Sequence, residues 1–187
     1  MELMEAIRGR RAVRDYKDRP VEEAVIARLI DAAVQAPTAI HREPWLFLVV
    51  TNRRRLDYMA RAAKEQVLAS MDGDSTLAGF RSHLSDPGFD IFYHAPVLVL
   101  ICTTVDDEMA RHDCCLAAEN LMLAAHAEGL GSCWIGFAEA WLNTAEATKA
   151  LPMLAGARPV APIILGYPTA PPSSPGRKPA LIEWMRE

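Results

Sequence analysis

Three arginines fall within five residues in Arg10-Arg11-Ala12-Val13-Arg14. If this segment is extended, side chains alternate and Arg10, Ala12 and Arg14 share one face. Two guanidinium forks on one face match the oxygens of a phosphate, because each fork takes two oxygens at once. The competing reading is a solvated basic patch. Near the other end, Arg177 and Lys178 follow a proline-rich stretch in Gly176-Arg177-Lys178-Pro179. They either join the first cluster around one anion or form a solvated tail. Between these ends lie two further segments with chemical potential. Ala36 to Trp45 mixes small, rigid and polar residues, and Thr38, His41 and Glu43 could bond the edge of a heterocycle. Taken alone, His41 reads as a satisfied structural histidine rather than a catalyst, and Glu43 as an exposed carboxylate. Gly129 to Gly136 is a glycine-rich run through which another group could approach backbone N–H donors. Taken alone, it is a helix cap.

The elements that must position these residues alternate. Leu3 to Arg8 reads as a short helix ending near Gly9. Pro20 suits the first turn of a second helix, with Glu22 and Glu23 at its positive end. Ile26, Leu29, Ile30 and Ala33 then repeat at i, i+3, i+4, i+7. Leu46 to Val50 is a buried strand by composition, and Leu56 to Val67 marks a third helix. Residues 72–90 are weak in pattern and read as a mobile loop or lid able to shape substrate choice. Val97 to Ile101 is a second strand. A long helix through Leu116 and Ala127 stops at Gly129 and Gly131. Ser132 to Ile135 is a short strand, Ala140 to Leu151 a helix, and Val160 to Leu165 a last strand. Continuously apolar strands between amphipathic helices imply a sheet covered on both faces. From Gly166 onward prolines dominate, and 166–187 reads as an extended arm that needs a surface to hold it, often a neighbouring subunit.

Composition narrows the function. The chain has 187 residues, 51% hydrophobic and 24% charged, which suits a single domain spanning 1–187 with a sizeable core. Twenty Lys+Arg against 24 Asp+Glu give a net charge of −4. There is no basic excess to neutralise phosphates along a nucleic acid. The apolar run from Pro96 to Cys102 is too short to cross a bilayer, and no signal peptide is read at the start. Cys102, Cys114, Cys115 and Cys133 lack metal-ligand spacing. They read as buried thiols of a reducing cytoplasm, with no metal site.

Together the motifs resemble the flavin-dependent nitroreductase family. The resemblance covers nearly the whole chain, in order. It comprises the Arg10-Arg11-x-x-Arg14 opening and the Ala36-Pro37-Thr38 linker ending in Pro44-Trp45. The helix end from Asn120 to Gly131, Gly166-Tyr167-Pro168 and the terminal Arg177-Lys178-Pro179 follow. The resemblance implies an α+β fold: a three-layer α/β sandwich with a central, mainly antiparallel sheet, helices on both faces, and a C-terminal arm exchanged in a homodimer. It implies FMN at the dimer interface and NAD(P)H as electron donor. Arg10, Arg11, Ala12 and Arg14 match the segment that binds the FMN phosphate, ribityl chain and pyrimidine end, and Arg177 matches a second phosphate cation. Thr38 and Ala39 match positions under the flavin, often from the other subunit, with His41 as a flavin-edge partner. Ile40 would face substrate. Trp134, Ile135 and Gly136 match the stretch along the isoalloxazine.

Some positions depart from the family pattern. Ala12 replaces the usual Ser and removes a hydroxyl contact. His41 and Glu43 give an H-x-E-P-W linker similar to the iodotyrosine-deiodinase branch. That branch also needs a Glu, Tyr and Lys clamp in its lid, which Lys64, Glu65 and Tyr93 do not assemble by spacing. Gly136 stands where that branch has a Thr. The missing clamp and Gly136 favour a reductase over a dehalogenase, and the resemblance then implies a ping-pong NAD(P)H oxidoreductase acting on nitroaromatics, quinones or similar flat acceptors. Reductive dehalogenation, flavin fragmentation and a non-catalytic flavin-binding role are the alternatives.

Overall fold

The computed structural model describes residues 1–71, 78–151, 155–173 and 176–186. Its organising element is β2 (Val97–Thr103), buried along its whole length. Successive side chains of a strand point to opposite faces. Leu98, Leu100 and Cys102 therefore enter one apolar cluster, and Val97, Val99 and Ile101 enter the other. A strand with no polar face must be covered on both sides. Strands β1 (Trp45–Val50), β3 (Gly131–Trp134) and β4 (Arg158–Gly166) complete a sheet ordered β1-β2-β4-β3, with every pairing antiparallel.

Helices α2 (Glu23–Ala33) and α5 (Glu108–Ala127) pack together on one face, burying Ile26, Leu29, Ala117 and Leu121. The other face carries α3 (Arg53–Ser70), α6 (Glu139–Leu142) and α7 (Ala145–Ala150). Trp141 is among the largest fully buried side chains there, edge-to-face against Tyr58 at 6.0 Å. The short α1 (Leu3–Gly9) contacts α5, and α4 (Arg81–Leu84) lies before β2. Local chemistry sets the helix starts. Asn52 accepts from Arg55 N at 3.1 Å, Asp107 from Ala110 N at 2.7 Å, and Thr144 from Ala147 N at 3.2 Å. Asp107 is held below the usual carboxylate range first by that backbone N–H, and further by Arg42. The three-layer α+β arrangement expected from the sequence is present.

Several boundaries differ from expectation. Pro20 lies outside α2, whose N-cap is Glu22. The helix expected over Ala140–Leu151 is two helices, because Thr144 stops one and caps the next. Gly129 alone ends α5, with φ of +79°; Gly131 belongs to β3. In the weak region, 72–77 lie outside the described residues. The remainder forms a 3-10 turn (Ala78–Phe80), α4 and a series of turns up to β2. Lys64 donates to the carbonyls of Asp86 and Phe89 at 2.7 and 2.8 Å, so this segment is fastened to α3.

The arm does not leave the domain at Gly166. Tyr16 bridges Pro168, Lys17 N donates to Tyr167 O at 2.8 Å, and Arg19 stacks on the Tyr167 ring at 3.9 Å. Residues 176–186 carry no regular structure and are exposed, including Leu181, Ile182, Trp184 and Met185. Cysteine burial holds for Cys102, Cys114 and Cys133, whereas Cys115 is exposed. Burial pushes the Cys102 and Cys114 thiols up to about 12 and raises Cys133 as well. Little thiolate exists on these three at pH 8. They are therefore expected to stay unmodified by iodoacetamide in the native protein and to react in denaturant, as intact-mass spectrometry would show.

Candidate functional site

Two of the chemically suggestive segments meet through one bridge. Ala12 pairs in parallel with Ser132, and Val13 N donates to Ser132 O at 2.9 Å. The stretch 10–14 thus lies alongside β3. Gly131 permits the approach: a Cβ there would sit 2.7 Å from Val13 Cβ, inside any real contact. Val13 is buried while Ala12 and Arg14 face outward, as alternation requires. Tyr16 locks the turn that follows, its buried hydroxyl donating to Val13 O at 2.6 Å; burial raises its pKa far above the ordinary phenol value. Gly131→Ala is expected to cost about 1–3 kcal/mol through overpacking. A lowered denaturant midpoint would show it, and an unchanged midpoint would contradict the close approach.

The bridge brings Arg14 to the wall of a cavity of about 530 Å³ that it shares with Cys133, Trp134, Ile135 and Gly136. Tyr93, Phe80 and Phe137 also line it, the two phenylalanines edge-to-face at 5.8 Å. Trp134 is fixed by its indole N–H, which donates to Glu139 at 2.8 Å. At Gly136 nothing lies within 4 Å of where a Cβ would stand, so the backbone is open there. Arg14 forms no acid pair among the described residues, and its guanidinium lies 5.9 Å from the Tyr93 ring.

The three arginines do not share one cavity. Arg10 and Arg11 line a second one of about 220 Å³ with Val13, His126, Ser132 and Pro168. Arg10 Nε lies 3.4 Å from Glu119 of α5, and Arg11 donates to Arg10 O at 2.6 Å. Arg10 and Arg14, expected on one face, line different cavities within the chain. The Ala12 bridge leaves Arg10 on the α5 side and Arg14 on the aromatic side. Burial, then the charges of Arg10 and Arg11, lower the pKa of His126. An acid-charged imidazole is disfavoured beside them.

The linker stands elsewhere. Thr38, Ala39, Ile40 and His41 line neither cavity, and Ile40, His41 and Glu43 are exposed. Their backbone is unusual: Ile40, His41 and Glu43 have φ of 50°, 54° and 47°. Such left-handed residues persist only where their surroundings dictate them. Helix α5 does so. Buried Asp113 accepts from Ala39 N at 3.1 Å, and Asp107 pairs with Arg42 at 2.5 Å. Arg177 is likewise exposed and lines neither cavity. Within one chain, then, Arg14 and Trp134–Gly136 are assembled, Arg10 and Arg11 lie next door, and Thr38–His41 and Arg177 remain apart. Tyr93 and Phe80 are members that spacing alone did not place. Asp90, a turn-forming residue just before Tyr93, was the available signal.

Comparisons with known proteins bear on the family and the fold. A profile of the Nitroreductase family matches residues 7–167. A Methanothermobacter thermautotrophicus protein, provisionally named NADH dehydrogenase/NAD(P)H nitroreductase, is 32% identical over 140 residues, covering 73% of this chain and 61% of that one. A Bacillus subtilis protein, provisionally named NAD(P)H nitroreductase YfhC, is 30% identical over 185 residues, covering 95% and 90%. The crystal structure of a nitroreductase with bound FMN from Bacteroides fragilis superposes with a TM-score of 0.85 at 26% identity, covering 100% of both chains. More distant relatives bear other names, among them a 5,6-dimethylbenzimidazole synthase of Rhodospirillum rubrum at 26% identity. Membership alone therefore does not fix the reaction. The fold, the paired arginine and tryptophan segments and these matches lead to one conclusion: the chain belongs to the nitroreductase family.

Proposed function

We propose that the protein is an FMN-dependent NAD(P)H oxidoreductase that reduces nitroaromatics, quinones or similar flat acceptors by a ping-pong mechanism. The observation that carries this reading is the Ala12–Ser132 bridge, which sets Arg14 against Trp134–Gly136 on one aromatic-lined cavity. A planar heterocycle with one polar edge fits such a wall. The residues fit FMN on two further counts. Arg14 has no acid partner among the described residues, and the backbone at Gly136 is open. Arg14, Trp134, Ile135 and Gly136 would hold the ring. Arg10, Arg11 and Ala12 would hold the ribityl–phosphate end, with Arg177 reaching the phosphate. Thr38, Ala39 and His41 would come from a second copy, and Ile40 would face the acceptor.

When bound, FMN supplies the two-electron chemistry between NAD(P)H and the acceptor. The chain's own residues bind and orient. Glu139 keeps the Trp134 ring in place, and the Phe80–Phe137 pair supplies an aromatic wall on one side of the cavity. No side-chain acid or base is assigned.

Homodimerisation belongs to the same proposal. β1 is an edge strand whose residues Trp45 to Val49 are only half-buried. Beside it runs a groove of about 370 Å³ lined by Ile26, Ala27, Ile30 and Val49. An open apolar edge is a template for pairing. The exposed Leu181, Ile182, Trp184 and Met185 of one arm supply the matching surface for a second copy. Exposed Leu3, Met4 and Ile7 on α1, with Met109 and Leu116 on α5, offer a further apolar face. Residues 1–187 then act as one domain whose arm is shared. Among the described residues no helix is long and apolar enough to cross a membrane. The buried, unpaired thiols suit a reducing cytoplasm.

Steady-state oxidation of NADH and NADPH tests the reaction, with varied quinone or nitroaromatic at several donor concentrations. Parallel double-reciprocal lines are expected. Intersecting lines would contradict one pocket serving both partners. Halide release from a halogenated phenol, or consumption of the flavin itself, would replace the proposed reaction with dehalogenation or flavin fragmentation.

A further inference from the structure

Tyr93 and His94 stand consecutively in left-handed backbone, with φ of 53° and 54°. Bulky residues avoid this region, so something must hold them there. Asp90 does most of it. Its carboxylate accepts from Phe92 N at 2.7 Å and His94 N at 3.4 Å, and its carbonyl accepts from Tyr93 N at 2.9 Å. The His94 imidazole lies 3.1 Å from the same carboxylate. From α3, Arg53 donates to the carbonyls of His94 and Ala95 at 3.0 and 3.1 Å. Ile91 and Phe92, fully buried, pin the turn from below.

This fastening turns the Tyr93 side chain to the cavity that Arg14 lines. The ring faces the Arg14 guanidinium at 5.9 Å and meets Phe89 edge-on at 5.5 Å and 80°. Phe89 is itself packed on His83 at 4.0 Å. Arg14 sits outside any helix or strand, its side chain is exposed, and it forms no acid pair among the described residues. A long cation so placed visits many rotamers unless something limits it. The Tyr93 side chain is the group that does so, through its ring and through its hydroxyl, which is within hydrogen-bonding reach of Arg14.

The geometry points to Tyr93 as a positioning residue: its ring, held by the Asp90 turn, fixes the Arg14 guanidinium at the cavity wall, ready for the electron-rich edge of a bound flavin. This rests on the FMN reading above. It adds a role for a residue outside the flavin-binding segments, acting through Arg14 rather than on the ligand directly.

The test uses full-length protein stripped of flavin and titrated with FMN by fluorescence quenching. Tyr93→Asn removes the ring while tolerating left-handed backbone; Tyr93→Leu is a second ring-free variant, and Tyr93→Phe keeps the ring. The two ring-free variants are expected to weaken FMN binding roughly two- to fivefold, the worth of an exposed cation–π contact. Tyr93→Phe keeps the ring but loses the hydroxyl's bond to Arg14 and is expected to weaken binding less than the ring-free variants. In an Arg14→Met background Tyr93→Asn is expected to add no further loss, because the residue through which it acts is gone. An undiminished loss in that background, or no loss in either ring-free variant, overturns the inference. A flavin-independent readout separates it from the function itself. The NMR order parameter of the Arg14 Nε–H bond in flavin-free protein should fall in Tyr93→Asn and fall less in Tyr93→Phe. An unchanged order parameter overturns the inference even if FMN binds. Failure of the wild-type protein to bind FMN overturns the functional reading and leaves that order parameter to decide the positioning role.

Discussion

Replacing Arg14 with alanine is expected to raise the dissociation constant for FMN roughly 10- to 150-fold. A hydrogen bond to a charged group contributes about 1.5–3 kcal/mol, and each 1.4 kcal/mol is tenfold in affinity. Arg14 qualifies for the full effect because it has no acid partner among the described residues and lines the aromatic cavity. Arg10→Ala is expected to cost less. Arg10 already faces Glu119 at 3.4 Å, so part of its charge is engaged before any ligand arrives. Arg14→Lys keeps the charge but not the planar fork and should fall between wild type and alanine. Quenching of FMN fluorescence by flavin-free protein checks all three. Equal affinity in Arg14→Ala and wild type would remove Arg14 from the site.

Ending the chain after Ser173 is expected to convert the protein to a monomer at micromolar concentration and to abolish detectable FMN binding. The proposal gives residues 176–186 two tasks. Their apolar side chains Leu181, Ile182, Trp184 and Met185 cover a second copy, and Arg177 reaches the phosphate. Without them, the β1 edge and the groove beside α2 are left open. The fold of each copy should survive, because residues 167–169 are fastened by Lys17 and Asp15 of their own chain and no described residue beyond them belongs to either core cluster. Light scattering and far-UV circular dichroism measure the two expectations together. A truncated protein that stays dimeric with FMN bound would rule out an exchanged arm.

Much of this architecture was legible in sequence because the core is strongly patterned. β2 and β4 are continuously apolar, and α2 carries its buried residues at helical spacing, so a sheet covered on both faces followed from the pattern, while its antiparallel arrangement was implied by the family resemblance. What escaped was decided by contacts distant in sequence. Gly131 looks like a helix stop until the structure sets it under Val13, 118 positions away in chain order, where only a missing Cβ allows the bridge. The split of Arg10 from Arg14 depends on Glu119 of α5, which no spacing within 10–14 announces. Thr144 interrupts a helix that periodicity runs straight through, since a hydroxyl cap competes with continuation. The left-handed residues at 40, 41, 43, 93 and 94 are ordinary types whose backbone is imposed by Asp113, Asp107 and Asp90. The linker residues Thr38–His41 and Arg177 illustrate another limit: their proposed roles require a second copy, and one chain does not bring them to the cavity.

The most direct test of the central claim is the visible spectrum of the purified protein, recorded anaerobically before and after adding NADH or NADPH. The account predicts flavin bands that bleach on addition of at least one of the two donors and return when a quinone is supplied. Flavin bands that neither donor bleaches, or no flavin even after reconstitution with FMN, would contradict it.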